Sequence, residues 1–165
     1  MASEPILVLT TGGTIDKNYF DALSEYRIVD SAIPAMLAEA RVAAPFRVVE
    51  LMRKDSLDLT EGDRGLIAAA AREAPEHRIV VTHGTDTMSE TAQVLADAVL
   101  GKTVALTGAL SPARFADTDA GFNLGMAFAC VQIADAGVYI VMNGQVFDGR
   151  RVYKDRTAGK FIALG

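Results

Sequence analysis

The feature that most constrains this chain is a regular alternation of short apolar segments with segments of helical periodicity. Five segments have the length and aliphatic, β-branched composition of buried strands, and they span residues 6–10, 47–51, 78–82, 102–107 and 138–142. Predicted helices cover residues 31–41, the stretch after Thr60, residues 89–100 and residues 121–136. Apolar strands separated by helices are typical of a parallel sheet covered on both faces. We therefore predict an α/β protein, a three-layer α/β/α sandwich with a mostly parallel, Rossmann- or flavodoxin-like sheet.

Composition indicates one domain and argues against several kinds of partner. Half of the 165 residues are hydrophobic and 22% are charged, which suits a single core, and no repeat or linker interrupts residues 1–165. The net charge is −5 without a basic run, so we expect no nucleic-acid partner. The apolar runs fall short of the roughly 20 residues that cross a bilayer, so we expect no membrane partner. The N-terminal MASEPILVLTTGG lacks the features of a signal peptide, which predicts a cytoplasmic location. The single cysteine, Cys130, lies in an apolar stretch and is predicted to be an inert core residue.

Three polar loops of small residues follow predicted strands, at residues 11–16, 83–88 and 108–119. Ligands of open parallel sheets bind outside the carboxyl ends of the strands. We therefore expect these three loops to converge on one site.

The first two loops carry hydroxyl and carboxylate groups beside glycines. The first, TTGGTID, is a Gly-rich turn whose threonines are either incidental or catalytic; a phosphate site fits poorly, because neither common phosphate-loop motif is present. The second, THGTDTM, lies before a predicted helix, where Asp86 or Thr87 is either a helix cap or part of a site. Further on, FDGRRVYKDRT at residues 147–157 is by itself typical of a solvated loop, although Lys154 is able to pair with Asp86.

Taken together, these segments resemble the bacterial-type L-asparaginase family, over its N-terminal catalytic domain. TTGGTI and HGTDTM match the two threonine motifs of that family. TGALSP followed by DAGFNL, then VMNGQVFDGRRVYK, and the loop KDSLDLT match further segments of it in the right order. The resemblance implies an α/β amidohydrolase that cleaves the side-chain amide of L-asparagine or a related small amide through a threonine nucleophile, without a cofactor.

The resemblance also implies roles for individual residues. Thr14 corresponds to the nucleophile, and Tyr26 best fits the tyrosine beside it, with Tyr19 as the second candidate. Thr85, Asp86 and Lys154 correspond to the second polar set, in which Lys154 pairs with Asp86 and activates Thr85.

Substrate binding is implied for a further group of residues. Asp86 corresponds to the acceptor of the α-ammonium group, and Ser56 lies in the loop that holds the α-carboxylate. Gly13 and Gly84 are the glycines that bring backbone close to the substrate. No metal is expected, because His77 and His83 do not have a ligand spacing. His83 is predicted to support its loop and His77 to lie on the surface.

Two departures from the family pattern leave other functions open. Leu57 follows Ser56 where the family places a polar residue, and the family's smaller C-terminal domain is expected to be absent from this chain. A non-catalytic amino-acid-binding protein and an interaction subunit of the same fold therefore stay as alternatives. The resemblance also implies a homodimer or larger assembly.

Overall fold

The computed structural model describes residues 3–165 and contains one six-stranded sheet with two small hairpins. The strands are β1 (Ile6–Gly12), β2 (Lys17–Phe20), β3 (Glu25–Ile28), β4 (Phe46–Lys54), β5 (Arg78–Thr82), β6 (Thr103–Thr107), β7 (Gly137–Met142), β8 (Gln145–Asp148), β9 (Val152–Asp155) and β10 (Lys160–Ala163). The helices are α1 (Ile33–Glu39), α2 (Glu61–Glu73), α3 (Met88–Ala98) and α4 (Ala120–Ile133). No helix within residues 3–165 has both the length and the apolar character needed to cross a membrane.

The sheet has the order β4-β1-β5-β6-β7-β8, in which the first five strands are parallel and β8 is antiparallel to β7. Counted along the chain, the parallel strands have the order 2-1-3-4-5, which is the flavodoxin-like arrangement. The order reverses between β1 and β5, so these neighbouring strands send their connections to opposite faces of the sheet. Their carboxyl ends therefore border a crevice, the usual ligand site of such sheets.

Helices cover both faces of the sheet, which confirms the predicted three-layer α/β/α fold. On one face, α2 and α3 pack Ile67 and Leu95 against alternate strand residues such as Leu7 and Val81. On the other, α1 and α4 pack Leu37 and several α4 side chains against the intervening strand residues. Residues of the central strands are buried on both faces, which explains why they are almost continuously apolar in sequence.

All five predicted strands and all four predicted helices are present, with small differences at their ends. The sequence did not predict β2 and β3, which form an antiparallel hairpin, or the segments β8, β9 and β10. These five strands have four residues each, and most of their side chains are at least partly exposed, so they lack the apolar runs that identify buried strands. The interpretation of residues 147–157 as a solvated loop was wrong, because they include the end of β8 and all of β9.

The hairpin of β9 and β10 is attached to the core by its apolar residues. Val152 and Phe161 are almost fully buried, and the Phe161 ring packs on Phe147 with centroids 6.2 Å apart. Phe161 is the register partner of Lys154, so the anchoring ring lies directly across the hairpin from the lysine.

Helix α2 provides a test of local stability. Thr60 and Asp63 form a capping box in which the Thr60 hydroxyl accepts the Asp63 N–H, and the Asp63 carboxylate accepts the Thr60 N–H. We expect Thr60→Ala to lower the free energy of unfolding by about 1 kcal/mol, because helix N–H groups lose their acceptor. Urea unfolding measures the change, and Thr60→Ser, which keeps a hydroxyl, should stay close to wild type.

Candidate active site

The backbones of the first two loops meet at the switch point of the sheet, where the strand order reverses between β1 and β5. Gly13 has φ +83°, and a Cβ atom there would lie 2.4 Å from the backbone nitrogen of Gly84. A Cβ atom on Gly84 would in turn lie 2.7 Å from the Cβ and Oγ atoms of Ser56. Only glycine permits both approaches. The contacts place the Thr14 turn, the Thr85 loop and Ser56 side by side.

The turn after β1 presents Thr14 to solvent. The N–H of Gly13 donates to the carbonyl of Lys54 at 3.0 Å, and a 3-10 turn, Thr14–Asp16, follows. Thr14 is partly exposed, whereas Ile15 is buried beneath it in the core. The nucleophile candidate is therefore held on a short turn whose next residue is fixed by the core.

Lys154 reaches the second loop from almost 70 residues away in sequence. Its Nζ atom lies 2.6 Å from Thr85 Oγ1 and 2.6 Å from Asp86 Oδ1. Lys154 and Thr85 are largely buried, while the Asp86 side chain retains 35% exposure. The three predicted residues thus form one polar cluster in which the aspartate faces outward. Replacing Lys154 would remove a hydrogen-bond donor from both Thr85 and Asp86, and replacing either of these would cost Lys154 one acceptor.

The alternative that Asp86 or Thr87 only caps α3 does not describe this loop. Thr87 makes no side-chain cap, and its hydroxyl donates instead to the Ser56 carbonyl at 2.8 Å. The Asp86 carboxylate accepts from Lys154. The polar side chains of the loop are therefore used for tertiary contacts.

Ser56 lies in the predicted place but is almost fully buried. Its hydroxyl oxygen accepts the Thr87 N–H at 3.4 Å, and Asp55 beside it pairs with Lys17 at 2.8 Å. The neighbouring Leu57 is 58% exposed, so the departure noted in the sequence places an apolar side chain at the surface beside Ser56.

Of the two tyrosine candidates, Tyr26 shares a cleft with Thr14. Thr14 and Tyr26 line this cleft of about 360 Å³ together with Lys17 and four residues of the third loop: Leu110, Ser111, Pro112 and Phe115. Tyr19 is outside this lining set, although its ring lies 5.0 Å from that of Tyr26. The sequence identified the third loop as a site loop but singled out none of its residues, since Phe115 carries no reactive group that would identify it.

His83 is a fully buried support of the second loop. Its Nδ1 atom lies 2.6 Å from the Gly84 carbonyl, which only accepts, so Nδ1 carries the proton and Nε2 accepts the Thr91 hydroxyl at 2.7 Å. The pKa of His83 is lowered to about 4, mainly because burial disfavours the charged ring; the Gly84 hydrogen bond opposes this shift, and the nearby Arg64 charge adds to it. The ring is therefore neutral at pH 7. His77 is exposed and contacts Glu4. Within residues 3–165, no three His, Cys, Asp or Glu side chains converge in the manner of a metal site.

The fold and this cluster define a class of α/β proteins. In this class, two loops that contain glycine and threonine meet at the switch point of the sheet, beside a lysine–aspartate pair. The family described as Asparaginase, N-terminal matches residues 5–160, and the chain belongs to the asparaginase family.

Individual relatives agree with this assignment. A probable periplasmic L-asparaginase of Haemophilus influenzae is 32% identical, over 92% of this chain and 46% of that protein. The structure of the thermostable L-asparaginase of Thermococcus kodakarensis superposes with a TM-score of 0.84 at 27% identity, covering 96% of this chain and 51% of that one. L-asparaginase I of Vibrio cholerae superposes with a TM-score of 0.86 at 27% identity, covering 98% and 52%. The chain spans about half the length of the curated relatives it matches over most of its sequence.

The close approach of the two loops predicts a severe effect of Gly13→Ala. The added methyl group would meet the Gly84 backbone and would also disfavour the positive φ, so we expect a loss of roughly 2–4 kcal/mol in the free energy of unfolding. Gly65→Ala is the matched control, because Gly65 is exposed within α2 with open space around it. That control should gain roughly 0.5–1 kcal/mol. Similar urea midpoints for both variants would contradict the proposed contact.

The buried His83 predicts a pH-dependent stability. The unfolded chain binds the His83 proton near pH 6.5, whereas the folded chain binds it only near the lowered pKa of about 4. Stability should therefore fall as the pH drops from about 6.5 to 4, by up to roughly 3 kcal/mol. Urea unfolding of wild type and His83→Gln at pH 7, 5.5 and 4.5 measures this. The difference between the two proteins should shrink with falling pH, and a constant difference would show that His83 does not titrate in this window.

Proposed function

We propose that this chain carries the catalytic residues of an asparaginase-type amidohydrolase, which hydrolyses the side-chain amide of L-asparagine or a related small amide to the acid and ammonia. The observation that carries the proposal is the contact of Lys154 with both Thr85 and Asp86, beside the glycine turn that presents Thr14. Membership of the asparaginase family supports the choice of reaction.

In the first half of the proposed reaction, Thr14 Oγ1 attacks the amide carbon. A threonine hydroxyl is a weak nucleophile until a neighbour takes its proton, and we assign this task to Tyr26, whose phenol shares the cleft of Thr14. The new C–O bond forms, the C–N bond breaks, and ammonia leaves with the transferred proton. Backbone N–H groups around the Gly13–Gly84 contact are suited to stabilise the negative charge that develops on the carbonyl oxygen.

In the second half, water cleaves the acyl-threonine ester and regenerates Thr14. Thr85 and Lys154 are joined by a 2.6 Å hydrogen bond and are assigned to this step, in which they orient the water and move its proton. The acid product then dissociates.

Asp86 and Ser56 are proposed to hold the amino-acid part of the substrate. The Asp86 carboxylate keeps part of its surface open while its charge is balanced by Lys154, so it is able to accept an α-ammonium group. Ser56 and nearby backbone N–H groups are assigned to the α-carboxylate. A cytoplasmic location and a homodimer or larger assembly stay predictions from the sequence.

Threonine substitutions test the reaction. We expect Thr14→Ala and Thr85→Ala each to lower kcat for ammonia release from asparagine by roughly a thousandfold or more, because each removes a reacting hydroxyl. Glutamine and other small amides assayed in parallel identify the preferred substrate. Thr157→Ala is the control, since Thr157 is exposed on the turn that follows β9.

The outcomes separate the hypotheses. Retained turnover in either site variant would overturn the threonine mechanism. A wild-type chain that releases no ammonia from any amide, but whose Tm rises with asparagine or aspartate, would favour the binding-protein alternative.

A further inference from the structure

Three consecutive residues of the third loop hold the β2–β3 hairpin, residues 17–28, at three separate points. The Ala113 N–H donates to the Ile15 carbonyl at 3.0 Å, just before the hairpin begins. The Arg114 guanidinium donates to the Asp30 carbonyl at 2.7 Å, just after the hairpin ends. The Phe115 ring lies 6.0 Å from the ring of Tyr26, on the hairpin itself. Residues 113–115 therefore contact the two stems of the hairpin, which are the segments just before and just after it, and the face that carries Tyr26.

Besides the ion pair of Lys17 with Asp55 at 2.8 Å, the hairpin strands have few contacts that fix Tyr26. Its two strands pair only with each other among the described residues, and Tyr26 is 54% exposed. Tyr26 and Tyr19 are cross-strand partners on one face of the hairpin, with ring centroids 5.0 Å apart. The Tyr19 ring belongs to the same hairpin, so it does not support Tyr26 from another part of the fold. Phe115 is the aromatic contact that joins Tyr26 to a different part of the fold.

The stems are fixed more firmly than the tyrosine face. Asp16 is buried, and its Oδ1 atom accepts from the Ser31 hydroxyl at 3.0 Å and from the Ala32 N–H at 2.9 Å. The Asp16 carbonyl also accepts the Val29 N–H. These bonds close the base of the hairpin, and Lys17 at the start of β2 is also paired with Asp55 at 2.8 Å, whereas none of them contacts Tyr26.

The loop that carries Phe115 is braced at its far end by Asp119. The carboxylate accepts the Leu110 and Ser111 N–H groups at 3.0 Å each, and the side-chain amides of Asn123 and Asn143 at 2.9 and 2.8 Å. Four donors from the loop, from α4 and from the turn after β7 thus converge on one acceptor. Phe115 therefore lies on a well-braced loop and contacts a hairpin that is held by fewer contacts.

We propose that Phe115 is a positioning residue that acts through Tyr26. Its ring docks the hairpin so that Tyr26 is kept in the cleft that Thr14, Tyr26 and Phe115 line together. This deepens the proposed function and rests on it, because it assigns to the third loop the task of holding the residue that takes the Thr14 proton. A ring contact suits this task, since two tilted aromatic rings prefer a defined relative orientation.

The test combines hydrogen exchange with kinetics. Phe115→Ala should speed amide exchange in residues 17–28 by roughly tenfold and leave the sheet protected. It should also lower kcat by roughly ten- to a hundredfold with little change in KM, as expected when a reacting group is displaced. Phe115→Tyr keeps a ring and should restore both properties. Phe122→Ala removes an exposed ring from α4 and should change neither.

A double-mutant cycle identifies the route of the effect. In a Tyr26→Phe background the tyrosine hydroxyl is already lost, so adding Phe115→Ala should lower kcat no further. Unchanged exchange in Phe115→Ala, or a full additional loss of kcat in that background, would overturn the proposal. A wild-type chain without amide turnover would overturn the proposed function instead, and the exchange data would then decide the docking contact by themselves.

Discussion

The contact on which the rest of the site depends is the close approach of two backbones, at Gly13 and Gly84. This contact lies where the strand order reverses. The loops after β1 and β5 touch there, and the chain then continues from them to opposite faces of the sheet. Because neither residue has a side chain, backbone meets backbone, and Ser56 packs against the same point. The turns that carry Thr14 and Thr85, about 70 residues apart in sequence, are thereby brought next to each other. A larger residue at either glycine would separate the two threonines before it affected their chemistry.

The electrostatics of the site follow from this geometry. Lys154, which contacts Thr85, lies on a hairpin anchored by Val152 and Phe161. Its charge is balanced by Asp86 at 2.6 Å. His83 supports the loop from below as a neutral ring, because burial holds its pKa far below 7. The loop is therefore supported by a neutral side chain, and the contact of Lys154 with Thr85 and Asp86 is the charged interaction of the cluster. Asp86 remains open on its outer side, where a substrate ammonium group would compete for its carboxylate.

The site is built from parts of unequal rigidity. Thr14, Thr85 and Asp86 follow central strands whose residues are buried on both faces, whereas Tyr26 lies on a two-stranded hairpin that pairs with nothing else among the described residues. The catalytic role proposed for Tyr26 would require a docking partner for this hairpin, and Phe115 is the aromatic contact that the third loop supplies.

The sequence by itself determined the layered α/β fold and the loops after the central strands, and it named Thr14, Thr85, Asp86 and Lys154 as site candidates. Buried strands and amphipathic helices leave periodic apolar patterns, and the glycine-threonine motifs are local in sequence. Only the tertiary structure decided the rest: that Lys154 lies on a strand and touches Thr85, that Ser56 is buried beneath Gly84, and that Tyr26, rather than Tyr19, shares the cleft of Thr14. Each of these depends on how short, partly exposed strands dock against distant segments. Such docking is a property of non-local contacts, and four-residue strands with mixed polarity carry no periodic signal that would reveal it.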